Sequence, residues 1–316
     1  MKNRKLITIL GPTACGKTAV ATQLAARIGG EIISADSRQV YRRMDIGTGK
    51  DLSDYVRSDG TVIPYHLINI AEPGTKYNLF LYLNDFKKAY EDIANRDRTP
   101  ILCGGTGLYL EAVLKDYHLS EVSQNKELRE SSKDKSLEEL TQILKELKVR
   151  NGSHMHNTTD VDTAQRAIRA IEIEMAAQGD SHNDTLESEG QKDSDFGDVY
   201  GLLVDRELRR QRITKRLHAR LEEGMVDEVR SLLDEGIAAE DLMYYGLEYK
   251  FVTMYVTGMM SYDDMVSKLE IAIHQFAKRQ MTWFRGMERR GIHINWIDGP
   301  KNEEDIDRIV DSITGR

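Results

Sequence analysis

One short stretch near the N-terminus constrains the fold of this chain more than any other. Residues 11–18 read GPTACGKT, between the apolar run KLITIL and the periodic segment TAVATQLAARI. The pattern G-x-x-x-x-G-K-S/T between a strand and a helix is a P-loop, whose glycines let backbone N–H groups wrap around phosphate oxygens. The helix that follows directs the positive end of its dipole at the same anion. The sequence therefore predicts an α/β fold with a phosphate-binding loop after its first strand.

The chemistry of this loop depends on the side chains that it carries. Lys17 adds a positive charge, and the hydroxyl of Thr18 can hold Mg²⁺. The motif is specific for binding phosphates, but it does not indicate which bond is broken. The residues that we expect to form the phosphate site are Gly11, Pro12, Thr13, Ala14, Cys15, Gly16, Lys17 and Thr18.

Strand and helix patterns alternate through the first third of the chain. EIISAD and TPILCGG read as the second and third strands, and NLFLYLNDFKKAYEDIA between them has apolar residues at a helical period. Such repetition implies a parallel sheet with right-handed crossovers. The predicted fold class is α/β, a P-loop NTPase-like parallel sheet flanked by helices, with a helical insertion domain.

The insertion is predicted from a change of pattern in the middle of the chain. Residues 136–149 and 159–177 read as amphipathic helices, the first opened by a capping box of Ser136 and Glu139. Residues 178–198 are polar, which predicts a mobile loop, and VYGLLV then returns to strand. We therefore expect a catalytic core at residues 1–114 and 196–316 and a helical insertion at residues 115–195 that contacts the substrate.

Two long helical regions are predicted in the last third of the chain. Residues 206–236 form the first, ended by Gly236, and residues 261–291 form the second. The buried stripe expected on the second helix consists of Val266, Leu269, Ile273, Phe276 and Phe284.

Composition narrows the classes of protein that the chain can be. With 40% hydrophobic and 30% charged residues, it is expected to be globular. No apolar run approaches the roughly 20 residues of a membrane span. Two cysteines without metal-ligand spacing indicate reduced thiols in a cytoplasmic protein. The net charge of -8 argues against indiscriminate nucleic-acid binding, although it is compatible with a local basic groove. The sequence has no coiled-coil heptad, which favours a monomer.

Two polar residues follow strands and are expected to face the same cleft as the loop. Asp36 ends EIISAD and Thr106 follows TPILCGG, and the C-terminal ends of parallel strands share one edge of the sheet. Asp36 could act as a general base beside the anion, or it could cap a turn, because Asp-Ser is good capping chemistry. The Thr106 hydroxyl could orient a substrate amine or the carboxylate. The residues alone leave both interpretations of Asp36 open.

Basic residues are clustered in three segments of this acidic protein. Seven lie within residues 206–220, five lie within residues 278–290, and Arg166 and Arg169 share one face of a helix. Each arginine by itself is better explained as solvated helix surface with salt bridges. Together the clusters favour a basic groove that contacts a phosphate backbone.

Five motifs, in chain order, resemble those of the tRNA dimethylallyltransferases: GPTACGKT, ISADSRQVYRRMDIGTGK, CGGTGLYLEAVL, RAIRAIEI and AKRQMTWFR. The resemblance spans residues 6–298, and its first three motifs together are highly specific. It implies a prenyltransferase that moves a dimethylallyl group from dimethylallyl diphosphate to the N6 amine of the adenosine 3′-adjacent to the anticodon, in tRNAs reading codons that begin with U. The loop would then hold a diphosphate leaving group with Mg²⁺, not the phosphates of ATP, and the partner would be the tRNA anticodon stem-loop.

The resemblance also implies roles for individual residues. Lys17 and Arg206 would support the diphosphate, Asp36 would accept the proton of the attacking amine, and Thr106 would hydrogen-bond near it. The residues that match tRNA-contacting positions of the family are Asp36, Ser37, Arg38, Gln39, Thr106, Arg129, Gln165, Arg166 and Arg169. The chain departs from the family pattern in having no proline between residues 101 and 299 and in having Leu247 where tyrosine is typical, which indicates a divergent copy.

Three other functions share the phosphate loop. An enzyme that prenylates free adenine nucleotides would use Asp36 as well, but the insertion and the basic segment 277–285 favour a large RNA substrate. A small-molecule kinase would need an acidic residue for Mg²⁺ where the sequence has Cys-Gly-Gly after the third strand. An RNA-binding protein without catalysis would not need Asp36 and Lys17 together.

Overall fold

The computed structural model describes residues 5–117, 119, 122, 124–152, 161, 163–177 and 197–315. Within those ranges, no helix is long and apolar enough to cross a membrane. The sequence predicts a mobile loop at residues 178–198, and residues 178–196 of that segment lie outside the described residues.

The described strands form one parallel sheet. They are β1 (Ile7–Leu10), β2 (Gly30–Ala35), β3 (Tyr65–His66), β4 (Thr99–Gly104), β5 (Val199–Leu203) and β6 (Asn295–Asp298). Their order across the sheet is β3-β2-β4-β1-β5-β6, and every pair is parallel. The predicted α/β class with a P-loop-like parallel sheet is confirmed. The edge strand β3 was missed because two residues are too few to carry a periodic pattern.

The described helices are α1 (Lys17–Ile28), α2 (Leu79–Asn95), α3 (Gly107–Leu114), α4 (Lys126–Ser131), α5 (Leu137–Arg150), α6 (Ala164–Ala177), α7 (Arg206–Glu222), α8 (Met225–Asp234), α9 (Ala239–Tyr244), α10 (Leu247–Val256), α11 (Tyr262–Arg289) and α12 (Glu303–Thr314).

Alternate residues of the strands fill two hydrophobic layers, one on each face of the sheet. Ile9 and Ile32 pack with α1 and α12, whereas Leu10 and Ile33 pack with α2, α3 and α11. All four side chains are fully buried, and burying a side chain of this size stabilises the fold by about 1.5–3 kcal/mol. Burial on both faces holds the sheet rigid, so its C-terminal edge can position the loops that follow the strands.

Two details of the C-terminal helices differ from the expectation. The helical region 206–236 is interrupted, because Gly224 adopts a φ of +103° and separates α7 from α8. The prediction that Phe276 belongs to the buried stripe of α11 is wrong, since Phe276 is 40% exposed. The buried face of α11 instead includes the polar Gln280, which an apolar period cannot identify.

Contacts divide the chain into two compact units, residues 1–115 with 193–316 and residues 116–192. The core of the second unit is formed by the buried residues Leu140, Leu144, Ala167 and Ile171. Its helix α5 begins with the predicted capping box, in which Ser136 Oγ accepts from the Glu139 N–H at 3.2 Å and Glu139 Oε2 accepts from the Ser136 N–H at 2.7 Å. The local signal in the sequence is confirmed here.

Candidate active site

The P-loop joins β1 to α1 with a backbone shape that suits an anion. Ala14 and Gly16 both adopt left-handed conformations, with φ of +62° and +86°, and such residues direct successive N–H groups into one concave site. Gly16 is also the N-cap of α1. A Cβ atom on Gly16 would lie 2.8 Å from Cγ of Pro300, so the close approach of the proline requires glycine. The loop can therefore offer backbone donors and a helix N-terminus to one phosphate group.

Lys17 runs from this loop past the turn that follows β4. A Cβ atom on Gly105 would lie 3.6 Å from Lys17 Cε and 2.6 Å from Gln280 Nε2. Gly104, one residue earlier, packs directly on β2, because a Cβ there would lie 2.2 Å from the carbonyl oxygen of Ala35. The two glycines let the loop lysine, the end of β2 and the end of β4 come close together.

Asp36, Ser37 and Thr106 meet at that edge. The Ser37 N–H donates to Thr106 Oγ1 at 3.0 Å, and the Thr106 N–H donates to the Ala35 carbonyl at 3.1 Å. Asp36 Oδ1 accepts the Arg38 N–H at 2.9 Å. Asp36 therefore does cap a turn with one carboxylate oxygen, and the next residue of that turn, Ser37, is bonded to Thr106. The capping and catalytic interpretations are compatible.

Gln280 is a site residue that the sequence analysis did not single out, although it lies in the motif AKRQMTWFR. Its Oε1 accepts the Thr13 N–H at 2.9 Å, and its Nε2 donates to the Gly105 carbonyl at 2.9 Å. The side chain is only 7% exposed. One buried amide thus connects the phosphate loop to the turn that carries Thr106. The available signal was a single polar residue on the buried face of α11.

The segment after Gln39 is held by a carboxylate from α8. Glu228 Oε2 accepts the N–H groups of Asp45 at 2.7 Å and Ile46 at 2.8 Å, and Oε1 accepts the N–H of Gly47 at 3.0 Å. Tyr249 donates its hydroxyl to the same Oε1 at 2.5 Å. Glu228 therefore fixes residues 45–47 through three backbone hydrogen bonds and is itself held by Tyr249, and the sequence offered no local sign of this role.

The four residues expected to contact RNA at the end of β2 differ in their surroundings. Gln39 donates to the Gly49 carbonyl at 3.0 Å and accepts from Ser34 Oγ at 3.3 Å, which gives it a bracing role. Arg38 instead extends over the ring of Tyr244, with its Cζ 5.6 Å from the ring centroid. Asp36 and Ser37 directly follow the end of β2.

Arg206, which the family resemblance assigns to the diphosphate, stays a prediction, and other arginines line the two cavities described beside the phosphate loop. Arg206 is the exposed first residue of α7. Two cavities beside the loop, both of which include Ala14, are lined instead by Arg212, Arg216 and Arg220 among other residues. Because these positions are spaced at about one helical turn, they share one face of α7.

Burial and neighbouring charges shift the pKa values of two groups that line these cavities. Burial and the nearby Arg220 lower the pKa of Arg216. Burial raises the pKa of Glu248, which lines the same cavity. Arg220 also lies 3.5 Å from the Asp51 carboxylate. The cavity next to the loop is therefore a basic site that also contains the carboxyl group of Glu248, whose pKa is raised by burial.

Two of the insertion arginines form ion pairs within the insertion. Arg129 Nε lies 2.6 Å from Glu172 Oε1, and Arg169 Nη1 lies 3.0 Å from Glu172 Oε2. Burial would raise the pKa of Glu172, but the hydrogen bonds from both arginines outweigh burial and hold it below its ordinary value of 4.5. Gln165 and Arg166 are exposed on α6. Holding the buried Glu172 is thus a structural task for Arg129 and Arg169.

The chain matches family models and curated relatives over nearly its whole length. The model described as IPP transferase matches residues 39–287, and the one described as Isopentenyl transferase matches residues 4–62. The tRNA dimethylallyltransferase 1 of Parabacteroides distasonis is 60% identical over 298 residues, which is 94% of each chain. The tRNA dimethylallyltransferase 2 of Phocaeicola vulgatus is 54% identical over 315 residues, which is 98% of each chain.

Solved structures are similar to this chain over 99% of its length. The full-length tRNA isopentenylpyrophosphate transferase of Bacillus halodurans has a TM-score of 0.68 and 30% identity, over 99% of this chain and 96% of that one. A eukaryotic dimethylallyltransferase acting on tRNA has a TM-score of 0.70 over 99% of this chain and 80% of that one. At 21% identity, the second likeness shows the fold alone.

Proposed function

Because this chain belongs to the tRNA dimethylallyltransferase family, we propose that it transfers the dimethylallyl group of dimethylallyl diphosphate to N6 of the adenosine 3′-adjacent to the anticodon, in tRNAs reading codons that begin with U. It is a transferase, and its relatives fit a tRNA substrate, not a free nucleotide or a kinase reaction. The observation that carries the finer proposal is the link from Thr13 through Gln280 to Gly105, because it joins the phosphate loop to the Asp36–Thr106 edge.

The loop would hold the diphosphate leaving group. When the bond between the allylic carbon and oxygen breaks, the departing diphosphate takes the electron pair and gains negative charge. Backbone N–H groups of the loop and the Lys17 ammonium are preorganised donors for that charge, which is the arrangement that stabilises such transition states. Arg212 and Arg216 border the loop and could add charge there, and we retain Arg206 as a further candidate.

Mg²⁺ fits the oxygen donors at this place. No group of three His, Cys, Asp or Glu side chains that could hold a metal occurs among the described residues. However, Mg²⁺ is commonly held by one or two protein oxygens together with substrate phosphates. The Thr18 hydroxyl in the first turn of α1 would be such a ligand. When bound, the ion would neutralise charge on the diphosphate.

Asp36 would take a proton from the attacking amine. The N6 atom forms a bond to the allylic carbon and must lose one proton, and a carboxylate within hydrogen-bond reach accelerates such a step by about 10²–10⁴-fold. Asp36 is held by the Arg38 N–H, and Thr106 is held by the Ser37 N–H. This bracing leaves the carboxylate little freedom to turn away from the substrate.

The RNA must present an unstacked base to this cleft. An adenine in a stacked anticodon loop cannot reach a strand end, so it would be flipped into the pocket. Ser37, Arg38 and the Thr106 turn would contact the flipped nucleotide. In the insertion we propose that Gln165, Arg166, Arg129 and Arg169 contact the anticodon stem-loop.

We also propose that the enzyme acts as a monomer in the cytoplasm. Cys15 and Cys103 are buried free thiols, and burial raises the pKa of Cys103 to about 12. A buried thiol of that kind resists ionisation and disulfide exchange, so both cysteines are expected to stay reduced.

A product assay tests the function directly. The purified protein is incubated with Mg²⁺, dimethylallyl diphosphate and either unmodified tRNA or AMP, and digested nucleosides are analysed by mass spectrometry. We expect prenylated adenosine from tRNA alone. Product from AMP alone would move the enzyme to free nucleotides, and product from neither would contradict the proposal.

A further inference from the structure

One exposed aromatic ring lies under two positive charges near the catalytic edge. Tyr244, at the end of α9, is 54% exposed. The Arg38 guanidinium carbon lies 5.6 Å and the Lys76 ammonium 6.0 Å from its ring centroid. Nothing in the reaction derived above uses Tyr244.

The Tyr244 ring packs against Tyr245, which is itself held by hydrogen bonds. Tyr245 is 1% exposed and meets Tyr244 in an edge-to-face contact with centroids 6.1 Å apart. The Tyr245 hydroxyl accepts the Gly74 N–H and donates to the Thr75 carbonyl, both at 2.8 Å. These bonds also fix the segment that carries Lys76. Tyr244 is therefore a rigid platform whose exposure does not come from a loose chain end.

The platform is adjacent to the proposed base. Arg38 is two residues beyond Asp36, and its own N–H is the donor to the Asp36 carboxylate. Its side chain runs beside Gly246, where a Cβ atom would lie 3.6 Å from Arg38 Nε. The ring, the guanidinium and the catalytic strand end thus form one continuous surface within a single unit of the protein.

We propose that Tyr244, Arg38 and Lys76 form a stacking site for an unpaired RNA base next to the one that is modified. This inference rests on the proposed function, since it concerns the same substrate. Sequence-tolerant recognition of single-stranded RNA combines aromatic rings, on which bases stack, with cations that contact the backbone. Flipping one nucleotide out of a loop breaks the stacking of its neighbour, and the Tyr244 ring would replace that lost contact.

The chemistry favours RNA over a protein partner for this surface. Arg38 and Lys76 are both positive, and neither the ring nor the two cations offer a carboxylate to a basic partner. A phosphate between two nucleotides would be attracted to both cations, and its base would lie flat on the phenol ring. The Tyr244 ring is sized for one base, so the site would hold one nucleotide.

The test uses an RNA hairpin with the anticodon stem-loop sequence, in which 2-aminopurine replaces each neighbour of the target adenosine in turn. Binding is measured by fluorescence anisotropy for Tyr244→Ala, Tyr244→Phe and Lys76→Ala. We expect Tyr244→Ala to weaken binding about 10-fold and to abolish the quenching of 2-aminopurine at one flanking position, whereas Tyr244→Phe should stay within about twofold of wild type. Lys76→Ala should reduce the salt dependence by about one phosphate contact.

A matched control is Tyr262→Ala, because Tyr262 is 43% exposed and also makes an edge contact with another tyrosine. It should leave RNA binding unchanged. Thermal melting of each variant reports the fold, which an exposed ring should not alter. Unchanged binding and quenching in Tyr244→Ala would overturn the inference, as would equal losses in the Ala and Phe variants, because those would point to the hydroxyl.

The KM for dimethylallyl diphosphate separates this inference from the proposed function. We expect Tyr244→Ala to raise the KM for RNA and to leave the KM for the diphosphate unchanged. A wild-type protein that binds the hairpin but never prenylates it would contradict the proposed function, while the quenching series would still decide whether a base stacks on Tyr244.

Discussion

Gln280 accepts a hydrogen bond from the backbone N–H of Thr13 at 2.9 Å, although the two residues are 267 positions apart in the chain. The other end of the same amide donates to Gly105. An amide in this position satisfies the buried carbonyl of Gly105 and the half-buried N–H of Thr13 at once. It also sets the distance between the phosphate loop and the turn that leads to Thr106.

Replacing Gln280 should therefore impair the use of dimethylallyl diphosphate while leaving RNA affinity nearly unchanged. Gln280→Leu removes both hydrogen bonds and leaves the Thr13 N–H and the Gly105 carbonyl unpaired, at a cost of about 1–3 kcal/mol each. We expect kcat/KM for dimethylallyl diphosphate to fall by about 10-fold or more while the Kd for the RNA hairpin changes little. Steady-state kinetics with each substrate varied would measure this.

The control for that variant lies on the same helix. Gln275 is exposed on α11, so Gln275→Leu introduces the same side chain without breaking the buried link. It should retain wild-type kinetics. Equal loss in both variants would show that Gln280 does not position the loop.

Asp36→Asn should separate the two tasks of Asp36. The amide oxygen of asparagine can still accept the Arg38 N–H, so the turn is kept, but the side chain no longer accepts the substrate proton at neutral pH. We expect kcat to fall by about 10²–10⁴-fold with unchanged RNA affinity and thermal stability. Single-turnover transfer assays would measure the rate, and near-normal transfer by Asp36→Asn would eliminate Asp36 as the base.

Glu228→Ala should destabilise the fold. The change leaves three backbone N–H groups and the Tyr249 hydroxyl without their acceptor. Hydrogen bonds to charged groups contribute about 1.5–3 kcal/mol each, and because water can replace part of them, we expect a loss of roughly 2–4 kcal/mol in the free energy of unfolding. Urea denaturation would measure it. Glu222→Ala, at an exposed position on α7, should change it by less than about 0.5 kcal/mol.

Glu31 should make stability depend on acid pH. The Arg96 guanidinium, which forms a bidentate pair with this nearly buried carboxylate, together with His66, holds the pKa of Glu31 below its ordinary value of 4.5. A carboxylate with a lowered folded pKa contributes stability above its unfolded pKa and loses it as the pH falls through the folded pKa.

The comparison that isolates this effect is wild type against Glu31→Gln. Urea denaturation between pH 7 and about pH 3.5 should show wild type to be the more stable at neutral pH, with the difference shrinking only below the ordinary pKa of 4.5. A difference that stays constant over this range would mean that the ionised form of Glu31 is not what stabilises the fold.

Sequence patterns determined much of this architecture because their signals are local. The loop GPTACGKT requires a strand before it and a helix after it, and the structure has β1 and α1 there. Asp36 and Thr106 were placed at one edge because parallel strands end on the same side. The capping box of Ser136 and Glu139 involves neighbours three residues apart. In each case the backbone geometry of a few consecutive residues sufficed.

Tertiary structure alone decided which side chains join these local elements. Gln280, Glu228 and Tyr244 contact residues more than a hundred positions away, and no spacing in the sequence marks them. The arginines that border the loop also depend on the rotation of α7, which its packing decides. A short-range pattern sets the period of a helix or strand, whereas its neighbours are set by the packing of the whole core, where burial and the pairing of polar groups must be satisfied together.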